Sequence, residues 1–275
     1  MHLKRWLTSL VALPLLVALM LKGSPLLFSV VIGMIALLTV WEYSRIVTGT
    51  SRLWLSHPLF YVALLTGVAL IGAAYARLPA MMPLIISFSL MVTGGVCCRE
   101  FRNDAEISRK VAFQTLGTIY IPLSLSYLVL IRQDFLGAEW VFFVVCVIFA
   151  GDTAAYYAGT YWGKHKLCPA VSPGKTVEGA FGGLVANIGI GLVFKSYFFP
   201  ALPLEATIVF CFVIGIAGQI GDLFESVLKR SAGVKDSGGL LPGHGGILDR
   251  IDAMLFALPP AYFLKVFLLT QEGIR

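Results

Sequence analysis

Long apolar runs parted by short polar segments are the first feature of this chain. A spanning helix needs about 20 mostly apolar residues, and such runs recur from end to end. About nine candidate spans emerge: Trp6 to Leu21, Pro25 to Trp41, Pro58 to Ala76, Leu78 to Cys98, Val111 to Ile131, Glu139 to Trp162, Glu178 to Phe199, Leu204 to Leu228 and Ile247 to Thr270. The third and fourth are parted only by the tight turn Arg77-Leu78-Pro79, and no two spans leave room for a soluble domain between them. The pattern predicts an all-α, polytopic transmembrane helix bundle, a single integral membrane domain over residues 1–275. Lys4 and Arg5 precede the first run as in a signal peptide, but no small-x-small cleavage pattern follows, so it reads as a retained helix.

Composition agrees. Hydrophobic residues make up 58% of the 275 and charged residues 13%, where a soluble domain carries about 25% charged. The net charge of +6 comes from short basic clusters between apolar runs, as membrane loops are built; no basic face for nucleic acid can be drawn. Lys164, Lys166 and Lys175 lie in one loop and Lys229, Arg230 and Lys235 in another, on the side that also collects Arg99, Arg102, Arg109 and Lys110. By the positive-inside rule that side, with the N-terminus, is cytoplasmic. The five cysteines show neither a CxxC pair nor metal-ligand spacing.

Ionisable groups inside spans mark function by default. Asp152 lies well inside the sixth span, with no helix-spaced Lys or Arg beside it. After that span comes Ser172-Pro-Gly-Lys-Thr-Val-Glu-Gly179, which resembles half of a P-loop. The full pattern needs a glycine at 169, where Pro169 stands, and a preceding strand, where the pattern predicts a membrane helix. What remains is a phosphate-friendly segment: the freed backbone at Gly174, Lys175, the Thr176 hydroxyl and a helix N-terminus.

From residue 222 onward, polar groups dominate. A helix through the eighth span places Asp222, Glu225, Ser226 and Lys229 on one face, and Asp249 and Asp252 share a face of the ninth. Between them runs a glycine-rich loop holding Lys235, Asp236 and His244. Carboxylates beside Lys, Arg and freed backbone amides suit a Mg²⁺–polyphosphate site, where hard oxygens hold the ion and substrate phosphates complete it. Basic groups then stabilise developing negative charge. His244 alone fits a core histidine, a phosphate donor or a base.

At these residues the chain resembles the phosphatidate cytidylyltransferases, or CDP-diacylglycerol synthases. Their signature, Ser-x2-Lys-Arg-x4-Lys-Asp-x-Gly-x3-Pro-x-His-Gly-Gly-x2-Asp-Arg-x-Asp, is filled at every fixed position from Ser226 through Asp252. The likeness covers most of the chain and is weakest over residues 1–95, with 138–275 as the expected catalytic portion around a polar, cytoplasmic-side cavity. The resemblance implies cytidylyl transfer from CTP to phosphatidate, giving CDP-diacylglycerol and pyrophosphate. It implies Asp222 and Asp249 as metal ligands, catalytic roles for Asp222, Asp249, Lys229, Arg230 and His244, and substrate contacts from Asp152, Ser172, Lys175, Thr176, Ser226, Lys235 and Arg250. It further implies Mg²⁺ or Mn²⁺, a K⁺ ion nearby, a homodimer among membrane lipids, and an active site facing the cytoplasm at a bacterial inner (plasma) membrane. One departure is visible: Gly174 stands where the family's loop carries a first lysine. A CTP-dependent lipid kinase or an isoprenoid cytidylyltransferase would also want a cationic phosphate site. A transporter would want an internal repeat of broken helices, and beyond Gly-Asp at 151–152 and 221–222 the chain has none.

Overall fold

The computed structural model describes residues 14–48, 57–240 and 245–271. Residues 14–22 are helical, and eight long helices follow: α1 Pro25–Thr48, α2 Pro58–Tyr75, α3 Met81–Glu100, α4 Ile107–Gln133, α5 Gly137–Trp162, α6 Val177–Tyr197, α7 Leu204–Ser231 and α8 Leu248–Gln271. At 1.5 Å per residue the shortest, of 18 residues, extends about 27 Å, close to the roughly 30 Å of a bilayer's hydrocarbon core. All eight are apolar enough to cross a membrane. The helical bundle expected from the apolar runs is what the structure shows, while the first half of the first expected span, Trp6 to Leu21, lies outside the described residues. α1 runs a further seven residues beyond Trp41, so it is not the short element its apolar run suggests. Between α5 and α6, where the apolar pattern shows only a connecting loop, two short antiparallel strands form a hairpin, β1 Lys166–Cys168 and β2 Ser172–Thr176.

The described chain divides into two compact units. The first holds residues up to Gln133 together with Ser231–Arg250; the second holds Asp134–Arg230 and residues from Ile251 onward.

In the first unit, Phe28, Ile32, Ala36, Val40 and Tyr43 form a buried stripe along α1 at near-helical spacing. Gly117 of α4 lies against Tyr43, whose hydroxyl donates to the Phe113 carbonyl at 3.0 Å. Pro122 interrupts α4. A proline has no N–H and its ring would strike the carbonyl four residues back, so the helix widens into a π turn over Ile119–Leu123 before resuming. The α2–α3 connection turns at Arg77, which adopts φ 58°.

In the second unit the helices meet through small residues. Gly151, Ala155 and Gly159 recur every fourth residue on α5 and face Gly179 and Gly183 of α6, the spacing that lets membrane helices approach backbone to backbone. Asn187 of α6 fits between Gly151 and Gly215 of α7: a Cβ at either glycine would come within 2.1 to 2.2 Å of its amide. Toward the other end, Trp140, Phe143, Phe194, Phe199 and Phe210 pack as one aromatic cluster with ring centroids 4.6 to 5.8 Å apart. Lys265, fully buried on α8, pairs there with Asp134 at 2.6 Å and lies 5.9 Å from the Trp140 ring centre.

Candidate active site

The close approach of α5 and α6 decides where the polar groups of the second unit sit. The hairpin is tied down at both ends. Thr176 is the N-cap of α6, its Oγ1 accepting the Gly179 N–H at 3.1 Å. Two residues on, the Glu178 carboxylate accepts the Lys164 N–H at 3.0 Å and the His165 N–H at 3.2 Å, and meets His165 Nδ1 at 2.6 Å. So fixed, β2 carries Lys175 to Asp222 of α7, ammonium to carboxylate at 2.5 Å.

A cavity of about 460 Å³ opens here, lined by Asp152, Ser172, Lys175, Thr176, Gln219 and Asp222 among others. Five of these are residues singled out from the sequence. The sixth, Gln219, was not: it lies three residues before Asp222 and donates its Nε2 to the Ala180 carbonyl at 2.9 Å, linking α7 to α6. A polar amide inside an apolar run, one turn from an aspartate, was the signal available. Glu178, within the Ser172–Gly179 segment, was likewise passed over as a site residue.

Two carboxylates that line the cavity and a third on α8 interact electrostatically. Asp152, Asp222 and Asp252 of α8 lie close enough to repel one another, with Lys175 offsetting Asp152 and Lys229 offsetting Asp252. The Asp152 that lacked a basic neighbour on its own helix therefore finds one on the hairpin. Farther along α7 the expected helical face forms: Lys229 pairs with the fully buried Glu225 at 2.6 Å. Ser226 lies half-buried beside them. Arg230 reaches back to the hairpin, its Nε donating to the Val171 carbonyl at 3.4 Å.

The other residues singled out from the sequence belong to the first unit. Asp249 stands in the first turn of α8, and its carboxylate gathers the glycine-rich segment: the Ser237 N–H approaches both oxygens at 3.1 and 3.2 Å, and the Gly246 N–H donates to Oδ2 at 2.9 Å. Gly245, at φ 86°, makes the turn into this arrangement, a conformation that favours glycine. Lys235 and Arg250 are exposed. His244 lies outside the described residues.

The donor chemistry suits a hard cation. The acidic groups offer oxygen only, and among the described residues no three His, Cys, Asp or Glu side chains close into a cage by themselves. An ion held here keeps positions for phosphate oxygens, as Mg²⁺ usually does. The Asp249 carboxylate accepts the Ser237 and Gly246 N–H groups, so it is held in place by backbone donors.

Spanning helices, a phosphate-friendly hairpin and clustered carboxylates beside Lys and Arg define a polytopic membrane protein equipped for phosphorylated substrates. Comparison with known proteins narrows the class. The sequence profile of the cytidylyltransferase family matches residues 3–268. A Bacillus subtilis protein named phosphatidate cytidylyltransferase is 44% identical over 156 residues, 56% of this chain and 58% of that protein. Proteins of the same name from Staphylococcus saprophyticus and Staphylococcus epidermidis are 35% and 32% identical, each over 93% of this chain and 95% of the relative. The chain belongs to the cytidylyltransferase family.

Proposed function

We propose that this protein transfers the cytidylyl group of CTP to phosphatidate at a bacterial plasma membrane, with the site open to the cytoplasm. The observation that carries the reading is the cavity in which Lys175 meets Asp222 beside Asp152, within a chain that fills the whole cytidylyltransferase signature from Ser226 to Asp252. A phosphate oxygen of the lipid attacks the α-phosphorus of CTP. The bond from that phosphorus to the β-phosphate oxygen breaks, and pyrophosphate leaves with the electron pair. Ser172, Lys175 and Thr176 hold phosphate groups on the hairpin; Lys229 and Arg230 stabilise charge as pyrophosphate departs; Ser226, Lys235, His244 and Arg250 complete the substrate contacts. Asp222 and Asp249 are assigned as metal ligands, each on its own merits. A bound Mg²⁺ or Mn²⁺ would neutralise phosphate charge and fix the geometry of the triphosphate, with K⁺ as its companion. Homodimerisation belongs to the same reading.

The test is CTP-dependent pyrophosphate release by the purified protein, measured with and without phosphatidate. Release that needs both substrates is expected. Transfer of a phosphoryl group to a lipid alcohol, with CDP as product, would replace this function by a lipid kinase.

A further inference from the structure

Glu42 has no place in the signature, which runs from Ser226 to Asp252. It is nevertheless completely buried on α1, within the first unit. A carboxylate taken out of water must be answered by donors, and those donors come from about 200 residues away. The Leu248 N–H donates to Glu42 Oε2 at 2.9 Å, with the Ile247 amide alongside and the Ser237 hydroxyl facing the same group. Glu42 thus caps the N-terminus of α8 from another helix. The first N–H groups of a helix lack intrahelical partners and carry its positive dipole end.

The same carboxylate explains two glycines of the signature. A Cβ on Gly238 would come within 2.6 Å of Glu42 Oε1, and one on Gly246 within 2.8 Å of both carboxylate oxygens. The described stretches that hold Lys235 and Asp249 are therefore moulded, at Ser237, Gly238, Gly246 and Leu248, around two carboxylates. Asp249 gathers them from within, through the Ser237 and Gly246 amides. Glu42 holds them from α1.

We infer that Glu42 is a positioning residue for the reaction, fixing the glycine-rich segment and the start of α8 so that Lys235 and Asp249 are presented in working geometry. This rests on the proposed cytidylyl transfer. Misplacing a reacting group by about 1 Å costs on the order of 100-fold in rate, so a buried clamp on this segment matters to turnover without touching substrate.

Glu42→Gln tests it. The amide keeps the volume but turns one oxygen into a donor facing backbone donors. The variant is expected to purify as a folded protein and, well below its Tm, to lose about 10- to 100-fold in kcat. Hydrogen–deuterium exchange at Leu248 is expected to quicken by about tenfold, as loss of a hydrogen bond to a charged group implies, and exchange at Ser237, whose N–H is held by Asp249, is expected to quicken as the surrounding segment loosens. A folded Glu42→Gln enzyme with wild-type kcat would overturn the inference, and so would unchanged exchange at those amides. Should Glu42→Gln fail to fold, Glu42→Asp, which keeps the charge but withdraws it by one methylene, carries the same expectations. If the wild-type protein releases no pyrophosphate from CTP and phosphatidate, the functional reading fails, and the exchange measurement alone decides whether the clamp exists.

Discussion

Asp222→Asn separates catalysis from folding at the most informative position of the cavity. The side chain keeps its shape and loses one charge. In the folded protein that charge faces Lys175 at 2.5 Å, but both groups are partly open to solvent, at 26% and 34% exposure. An ion pair of that kind contributes about 0 to 1 kcal/mol. Against this small loss stands a gain, since Asp152 and Asp252 are both relieved of a like charge. The two nearly cancel, and a net change within about 1 kcal/mol moves the Tm of a chain this size by roughly 2 to 4 °C. The transition state has no such compensation. Loss of one well-placed electrostatic contact costs about 10² to 10³ in rate, and loss of a metal ligand should cost more. The assay is kcat/KM for pyrophosphate release beside a thermal unfolding curve, both in detergent. Glu225→Gln is the comparison, because Glu225 is buried and holds Lys229 at 2.6 Å: its Tm should fall further and its turnover less. Near-wild-type turnover in Asp222→Asn would refute the assignment and leave Asp222 an ion-pair partner of Lys175.

Other expectations follow from the same structure. Chelation of divalent metal with EDTA should abolish pyrophosphate release and added Mg²⁺ restore it; full turnover after exhaustive chelation would remove the metal role from Asp222 and Asp249. Single cysteines at positions 166 and 235 should label only from the cytoplasmic side of sealed cells, and outside labelling at either would contradict a site served by cytosolic CTP. Gly151→Ala should lower stability by about 1 to 3 kcal/mol, because Asn187 is held on its far side by Gly215 and cannot withdraw. Gly189→Ala, whose Cβ would meet nothing within 4 Å, should be close to neutral in the same unfolding assay. Asp134→Asn should cost more stability than Lys265→Met, about 2 kcal/mol against little: the first strands a buried ammonium, and the second leaves a carboxylate that is already 44% exposed.

Apolar run length sufficed to find the helices from α1 to α8, because a spanning segment is defined by composition that no local context overrides. It could not find the hairpin. Lys166–Cys168 and Ser172–Thr176 are three and five residues long, too short for any alternation to register. They pair because Thr176 and Glu178 fix the start of α6 and draw the preceding chain back on itself. The π turn in α4 was announced by Pro122, yet whether a proline kinks, breaks or widens a helix depends on what packs against it, and here Gly67 of α2 lies against the ring. The two aspartates of the cavity were legible for a different reason. A charge inside an apolar run is costly enough to stand out one residue at a time, so Asp152 and Asp222 needed no partner to be noticed.

Glu42 marks the limit of that reasoning. It sits near the end of α1, within Trp41-Glu42-Tyr43-Ser44-Arg45, where a glutamate reads as the ordinary polar edge of a span. Its distinction is burial against amides about 200 residues later, and pairings so distant leave no trace in periodicity or spacing. The signature glycines show the converse. Gly238 and Gly246 were visible as part of a pattern and were read as freeing the backbone for phosphate. The structure gives them a steric cause as well, since each faces the Glu42 carboxylate at a distance no Cβ tolerates. A motif can therefore be complete in sequence while part of its physical reason lies outside it, on a helix that shares no residue with the signature. For that reason Gly246→Ala should fail even where phosphate contact is intact. Its Cβ would meet Ser237 Oγ at 2.0 Å as well as both Glu42 oxygens, so the segment must shift before any substrate arrives. Loss of turnover accompanied by faster exchange at Ser237 in the substrate-free protein is the expected signature; unchanged exchange there would return Gly246 to a role in phosphate contact alone.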